Sequence, residues 1–75
     1  MQSIMTDWFP VTIFPARIGV YEVRINDNPM EFAKWDGGKW CVVAYTVSGA
    51  KRKTDRSWAM YLATNVHWRG FTHEQ

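Results

Sequence analysis

The chain has 75 residues, 47% hydrophobic and 16% aromatic, with a formal net charge of +2 and one cysteine. That length holds one domain, 1–75, and not two. The small charge excludes a strongly basic molecule, and a lone Cys41 excludes an internal disulfide.

No run approaches the roughly 18 apolar residues of a membrane span. The opening residues lack the basic-then-apolar pattern of a signal peptide. The expectation is therefore a cytoplasmic chain with no membrane partner, its thiol reduced and buried. Five Trp, three Tyr and four Phe are a large supply of rings for so small a domain. Dense aromatic burial offsets the ordering cost of a chain this short.

In chain order, residues 1–15 read as an extended arm. Pro10 and Pro15 argue against a helix, Trp8 and Phe9 supply rings to pack, and 11–14 allow a short edge strand. Residues 19–25 alternate, with Val20, Glu22 and Arg24 on one face and Tyr21, Val23 and Ile25 on the other, which predicts a strand. Asn26-Asp27-Asn28-Pro29 is a cluster of turn formers. A second strand is expected over 30–35, then a hairpin turn at Asp36-Gly37-Gly38. The third and longest strand is expected over 39–47. Its two faces are both apolar, the mark of a central strand.

Residues 48–57 read as a polar basic loop. Lys51, Arg52, Lys53 and Arg56, less Asp55, give it +3 and leave −1 for the rest of the chain. Residues 58–65 fit one or two helical turns, with Trp58, Tyr61 and Leu62 on one face and Thr54 or Asp55 as N-cap; a strand reading of the same residues stays open. A last strand is expected over 66–71, and 72–75 should fray. The fold expected is mainly β: an antiparallel meander curled into an SH3-like barrel with one short helix near 55–64. A curved sheet with one helix is the second choice.

Four motifs occur in order: Trp8-Phe9-Pro10, then Pro15-Ala16-Arg17-Ile18-Gly19-Val20-Tyr21-Glu22, then Trp35-Asp36-Gly37-Gly38-Lys39-Trp40, then Trp68-Arg69-Gly70. Together they resemble a group of short proteins encoded by tailed bacteriophages and prophages, sharing W-F-P, P-x-R-x-G-V-Y-E, W-D-G-x-x-W and a terminal W-R-G. The resemblance covers most of the chain outside 48–67. It implies a phage or prophage accessory protein in a bacterial host's cytoplasm and carries no activity with it. Physically the motifs read as scaffold: Trp35 and Trp40 pair across the turn, and Arg69 stacks on a ring or pairs with Glu22.

Residues suited to catalysis are sparse. His67 and His73 stand too far apart for a usual metal pair, and no metal or cofactor is expected. Cys41 with His67 is a conceivable nucleophile and base, but a lone cysteine in an apolar run is more often core. Glu22 lacks the partner carboxylate that glycosidase chemistry needs. No phosphate loop or nucleophile elbow is present, so no enzyme is expected.

The surplus of rings points to a non-enzymatic protein-interaction module, with a host or defence factor among its candidate targets. Trp8, Phe9, Arg17, Trp58, Tyr61 and Arg69 are its expected aromatic–guanidinium patch. The partner is a host or phage protein, or a second copy of the chain. The alternative is nucleic-acid binding through Lys51, Arg52, Lys53 and Arg56.

Overall fold

Alternating residues and a tight turn build the first hairpin. The computed structural model describes residues 7–63 and 65–70, and in it strands β2 (Gly19–Ile25) and β3 (Asn28–Trp35) pair antiparallel, Gly19 opposite Trp35 and Ile25 opposite Asn28. Only Asn26 and Asp27 lie between them, with φ of 52° and 66°. Two positive φ values in a two-residue loop suit the right-handed twist of the flanking strands, and Asn and Asp tolerate them better than most residues. β3 thus starts two residues earlier than expected. It lies at an end of the sheet, where Pro29 is tolerated.

The remaining strands are β1 (Phe9–Pro10) and β4 (Val66–Arg69). β4 pairs antiparallel with β2, Val23 opposite Trp68 and Ile25 opposite Val66, and β1 pairs with β4, Phe9 opposite Trp68. The order is β1-β4-β2-β3. This corrects the meander: consecutive strands are not all neighbours, and the central strands are β4 and β2, not 39–47. The four-stranded antiparallel sheet is not closed. The edge strand of the arm is Phe9–Pro10 rather than 11–14. Pro10 has no N–H to give, which confines it to an edge, and beyond it the chain turns, the Ile13 amide donating to the Pro10 carbonyl at 3.0 Å.

Residues 39–47 form no strand. They make isolated bridges, Trp35 with Trp40, Phe32 with Ala44 and Cys41 with Arg56. The turn before them is as expected: Gly37 has φ of +99°, and the Asp36 amide donates to the Lys39 carbonyl at 3.2 Å. The chain then winds between the edge strand β3 and the segment 55–57. Phe32 and Ala44 exchange backbone hydrogen bonds on one side, while the Val42 amide donates to the Asp55 carbonyl and the Ser57 amide to the Trp40 carbonyl on the other. That covering, rather than a central sheet position, explains apolar residues on both faces. Thr46 ends the segment as N-cap of α1 (Val47–Lys51), its Oγ1 accepting from the Gly49 amide at 3.0 Å. A helix therefore occupies the first half of the expected basic loop.

The second helix, α2 (Trp58–Leu62), lies where one was expected, but its cap is Ser57, whose Oγ accepts from the Met60 amide. Its buried residue is Met60, while Trp58 and Leu62, which sequence put on one face with Tyr61, are 62% and 74% exposed. The expected helix and last strand extend to Thr64 and Phe71, which lie outside the described residues, as do His73 and the tail 72–75.

One face of the sheet carries the core. Val23, Ile25, Ala33, Trp35, Val66 and Trp68 pack with Trp40 and Met60 from the connecting segment. Trp40 is fully buried at the centre, with the rings of Trp35, Trp68 and Tyr21 at 5.3, 6.0 and 6.1 Å. Its Nε1 meets no hydrogen-bond partner among the described residues, and Tyr21 and Trp35 are in edge geometry with its ring. Phe9 continues the aromatic cluster onto Trp68 at 4.9 Å. α1 packs against β3 and β2, and the Lys34 Nζ donates to the Lys51 carbonyl at 3.2 Å. Lys34 alternates with Ala33 and Trp35, so α1 meets the sheet on the side away from the core.

Candidate interaction surfaces

The six residues of the expected aromatic–guanidinium patch do not form one surface. Trp8 lies beside two guanidinium groups, Arg24 and Arg69, whose central carbons are 4.6 and 4.5 Å from its ring centroid. Arg69 Nε also donates to Glu22 Oε1 at 3.0 Å, so it makes both contacts expected of it. Glu22 and Arg69 face each other across β2 and β4, and their alternation puts this group on the side of the sheet away from the core. Phe9, by contrast, is packed against the core through Trp68. Arg17 is by Tyr21, whose hydroxyl donates to the Arg17 carbonyl at 2.9 Å.

Trp58 and Tyr61 share α2, yet in different roles. The Tyr61 ring packs on the core and its hydroxyl accepts from the Trp40 amide at 2.8 Å. Trp58 is exposed. Arg56 connects the two, its guanidinium 4.8 Å from the Tyr61 centroid and 5.6 Å from that of Trp58.

A second apolar surface was not foreseen. Phe14 is 58% exposed and stacks on Trp35 at 4.8 Å, 23° from parallel. Ile18, 71% exposed, lies against Gly37 of the turn after Trp35. Ile13 is half-exposed beside them in sequence, held by its carbonyl, which accepts from Trp68 Nε1 at 2.7 Å. The signal was present as large apolar residues flanking Pro15, which is itself buried; a proline-anchored arm can hold its neighbours outward.

The alternative cations, Lys51, Arg52, Lys53 and Arg56, are all exposed. Lys51 closes α1 and Arg52 caps it, a placement that suits the helix dipole. The turn also holds an ion pair, Lys39 Nζ to Asp36 Oδ2 at 2.6 Å.

The residues weighed for catalysis are dispersed. Cys41 is free and buried, and burial pushes its thiol above the ordinary value. It neighbours β3, its amide donating to the Lys34 carbonyl, whereas His67 is on β4 with β2 and β3 between. Three strand spacings separate them, about 14 Å. Glu22 is taken by Arg69. Among the described residues no three His, Cys, Asp or Glu side chains are grouped to hold a metal, and no helix is long and apolar enough to cross a membrane.

Comparison with family models, curated proteins and solved structures found no match to this chain.

Proposed function

We propose that the chain is a non-enzymatic protein-interaction module of phage or prophage origin, acting in a bacterial cytoplasm by covering a surface of a host or phage protein. The observation that carries this reading is the apolar end formed by Phe14 on Trp35 and Ile18 on Gly37. Two large side chains stand more than half exposed there, over a rigid turn and a core tryptophan. Side chains anchored from below lose little freedom on binding, which favours hot-spot behaviour. The order of motifs from W-F-P to W-R-G supports the phage setting.

The test is Phe14→Ala with Ile18→Ser, in affinity capture from host lysate and in sedimentation of the purified chain. The expected result is loss of captured partner, or of self-association, with the far-UV spectrum unchanged. Undiminished capture by the double variant overturns the assignment of this end as the contact surface.

A further inference from the structure

We infer that the face carrying Lys34, Lys51, Arg52, Lys53 and Arg56, with the exposed ring of Trp58, binds single-stranded nucleic acid. This surface is distinct from the Phe14 end, and its activity does not depend on that end being a contact site.

The fold assembles this face from segments far apart in sequence. Lys34 on β3 donates through Nζ to the carbonyl of Lys51, 17 residues away, at 3.2 Å. The Lys34 carbonyl accepts from the Cys41 amide at 2.9 Å, and Cys41 is bridged in turn to Arg56. Lys34, Cys41 and Arg56 are thus neighbours across adjacent segments, with the thiol buried and the two cations flanking it. Sequence alone confines the positive charge to one loop; the structure adds a strand residue to it.

None of these five cations takes part in an ion pair shown among the described residues. The ion pairs among described residues are Lys39 with Asp36 and Arg69 with Glu22. Asp55 is the one carboxylate within the run 51–56. Five cations against one carboxylate exceed the whole chain's +2, so the rest of the molecule is net negative. A polyanion would be drawn to this face and repelled elsewhere.

Trp58 decides which polyanion fits. Three of the other four tryptophans, Trp35, Trp40 and Trp68, are buried, whereas Trp58 is 62% exposed next to the Arg56 guanidinium. An exposed indole beside cations is a platform for an unpaired base, with the phosphates on either side met by Lys and Arg. A duplex keeps its bases stacked on one another, and two helices of five residues each are too short to lie along a groove.

The experiment is fluorescence anisotropy of a dye-labelled oligothymidylate of roughly 12 nucleotides, titrated with the intact chain at several salt concentrations. Wild type should bind at low salt, with log K falling against log salt at a slope of about −0.7 for each phosphate contacted. Arg52→Glu with Lys53→Glu should weaken binding at least tenfold and flatten that slope. Trp58→Ala should weaken it roughly 5- to 150-fold, the range for one stacked base, without moving the melting temperature. Phe14→Ala should leave it unchanged. The inference is overturned if wild type does not bind at low salt. It is overturned equally if the matching duplex binds as tightly and Trp58→Ala has no effect, or if polyglutamate competes as well as the oligonucleotide, which would make the face a docking site for acidic protein.

Discussion

Asp36 makes three contacts that all favour its charged form. Lys39 Nζ reaches Oδ2, and the amides of Gly38 and Lys39 both donate to Oδ1, at 2.9 and 2.8 Å. The Lys39 side chain contributes most and the two amides add to it, holding the carboxyl well below the ordinary 3.8. A carboxyl depressed by folding contributes its full stabilisation above the ordinary value, then loses it as pH falls from there through the folded value. Wild type should therefore lose melting temperature below about pH 4 more steeply than Asp36→Asn, which carries no titrating group there. Parallel curves would show that the turn does not contribute to global stability. A second residue under constraint is Gly70. A Cβ there would sit 2.6 and 2.7 Å from two carbons of the Tyr21 ring, and that ring is held edge-on by Trp68 at 5.1 Å and by Trp40. With two tryptophans against it and its hydroxyl bonded to the Arg17 carbonyl, the ring is held in place, so Gly70→Ala should destabilise by roughly 1–3 kcal/mol, the usual cost of overpacking, read by urea denaturation. An unchanged midpoint would mean that the β4 end relaxes away from Tyr21.

At the scale of elements, what was legible in the sequence was local. The alternation of 19–25 and the Asp36-Gly37 turn specify their own geometry within a few residues and are found, and the turn formers at 26–29 mark a turn that closes at Asn26-Asp27, with Asn28 and Pro29 already in β3. Non-local pairing left almost no trace. That β4 returns to the far side of β2 was hinted at only by the opposite charges of Glu22 and Arg69. The run 39–47 misled because apolar residues on both faces report covering on both sides, and a segment wound between a sheet edge and another stretch of chain is covered as fully as a central strand. The site was legible in the same measure: Trp58, placed just after a charged loop, is exposed as expected, whereas Phe9 and Tyr61 are drawn to the core by contacts across the fold. The local hairpin is also where an improvement is predictable. Asp27 holds a φ of 66° that glycine adopts without steric cost, and Asn-Gly is the favoured pair for such a loop. Asp27→Gly should raise stability by up to about 1 kcal/mol, and Asp27→Val should lower it. A melting temperature that falls in the glycine variant would show that the Asp side chain, not the backbone, holds the turn.

Across the whole molecule, the rings divide between holding the fold and facing outward, and this division can be measured. Trp40 is fully enclosed by Trp35, Trp68, Tyr21 and Met60, and Phe9 covers Trp68 from the edge strand. Truncating Trp40 leaves a cavity that three other rings line. Trp40→Ala should cost about 3–5 kcal/mol, a large fraction of the stability available to a domain of this size, so the variant should be largely unfolded at room temperature. Phe9→Ala, at a partly buried position, should lower the melting temperature without abolishing the transition. Trp58→Ala and Phe14→Ala remove rings that are more than half in water and should leave the thermal transition within the small range usual for surface changes, about 0.5 kcal/mol. The comparison is one thermal series on four variants, followed by near-UV circular dichroism. Loss of the aromatic near-UV signal should follow Trp40 and not Trp58, because only an indole fixed among other rings has a strongly asymmetric surrounding. If Trp58→Ala unfolds the chain as Trp40→Ala does, that ring is structural and the basic face loses its platform for a base; if Phe14→Ala does so, the apolar end is structural and cannot be the contact surface.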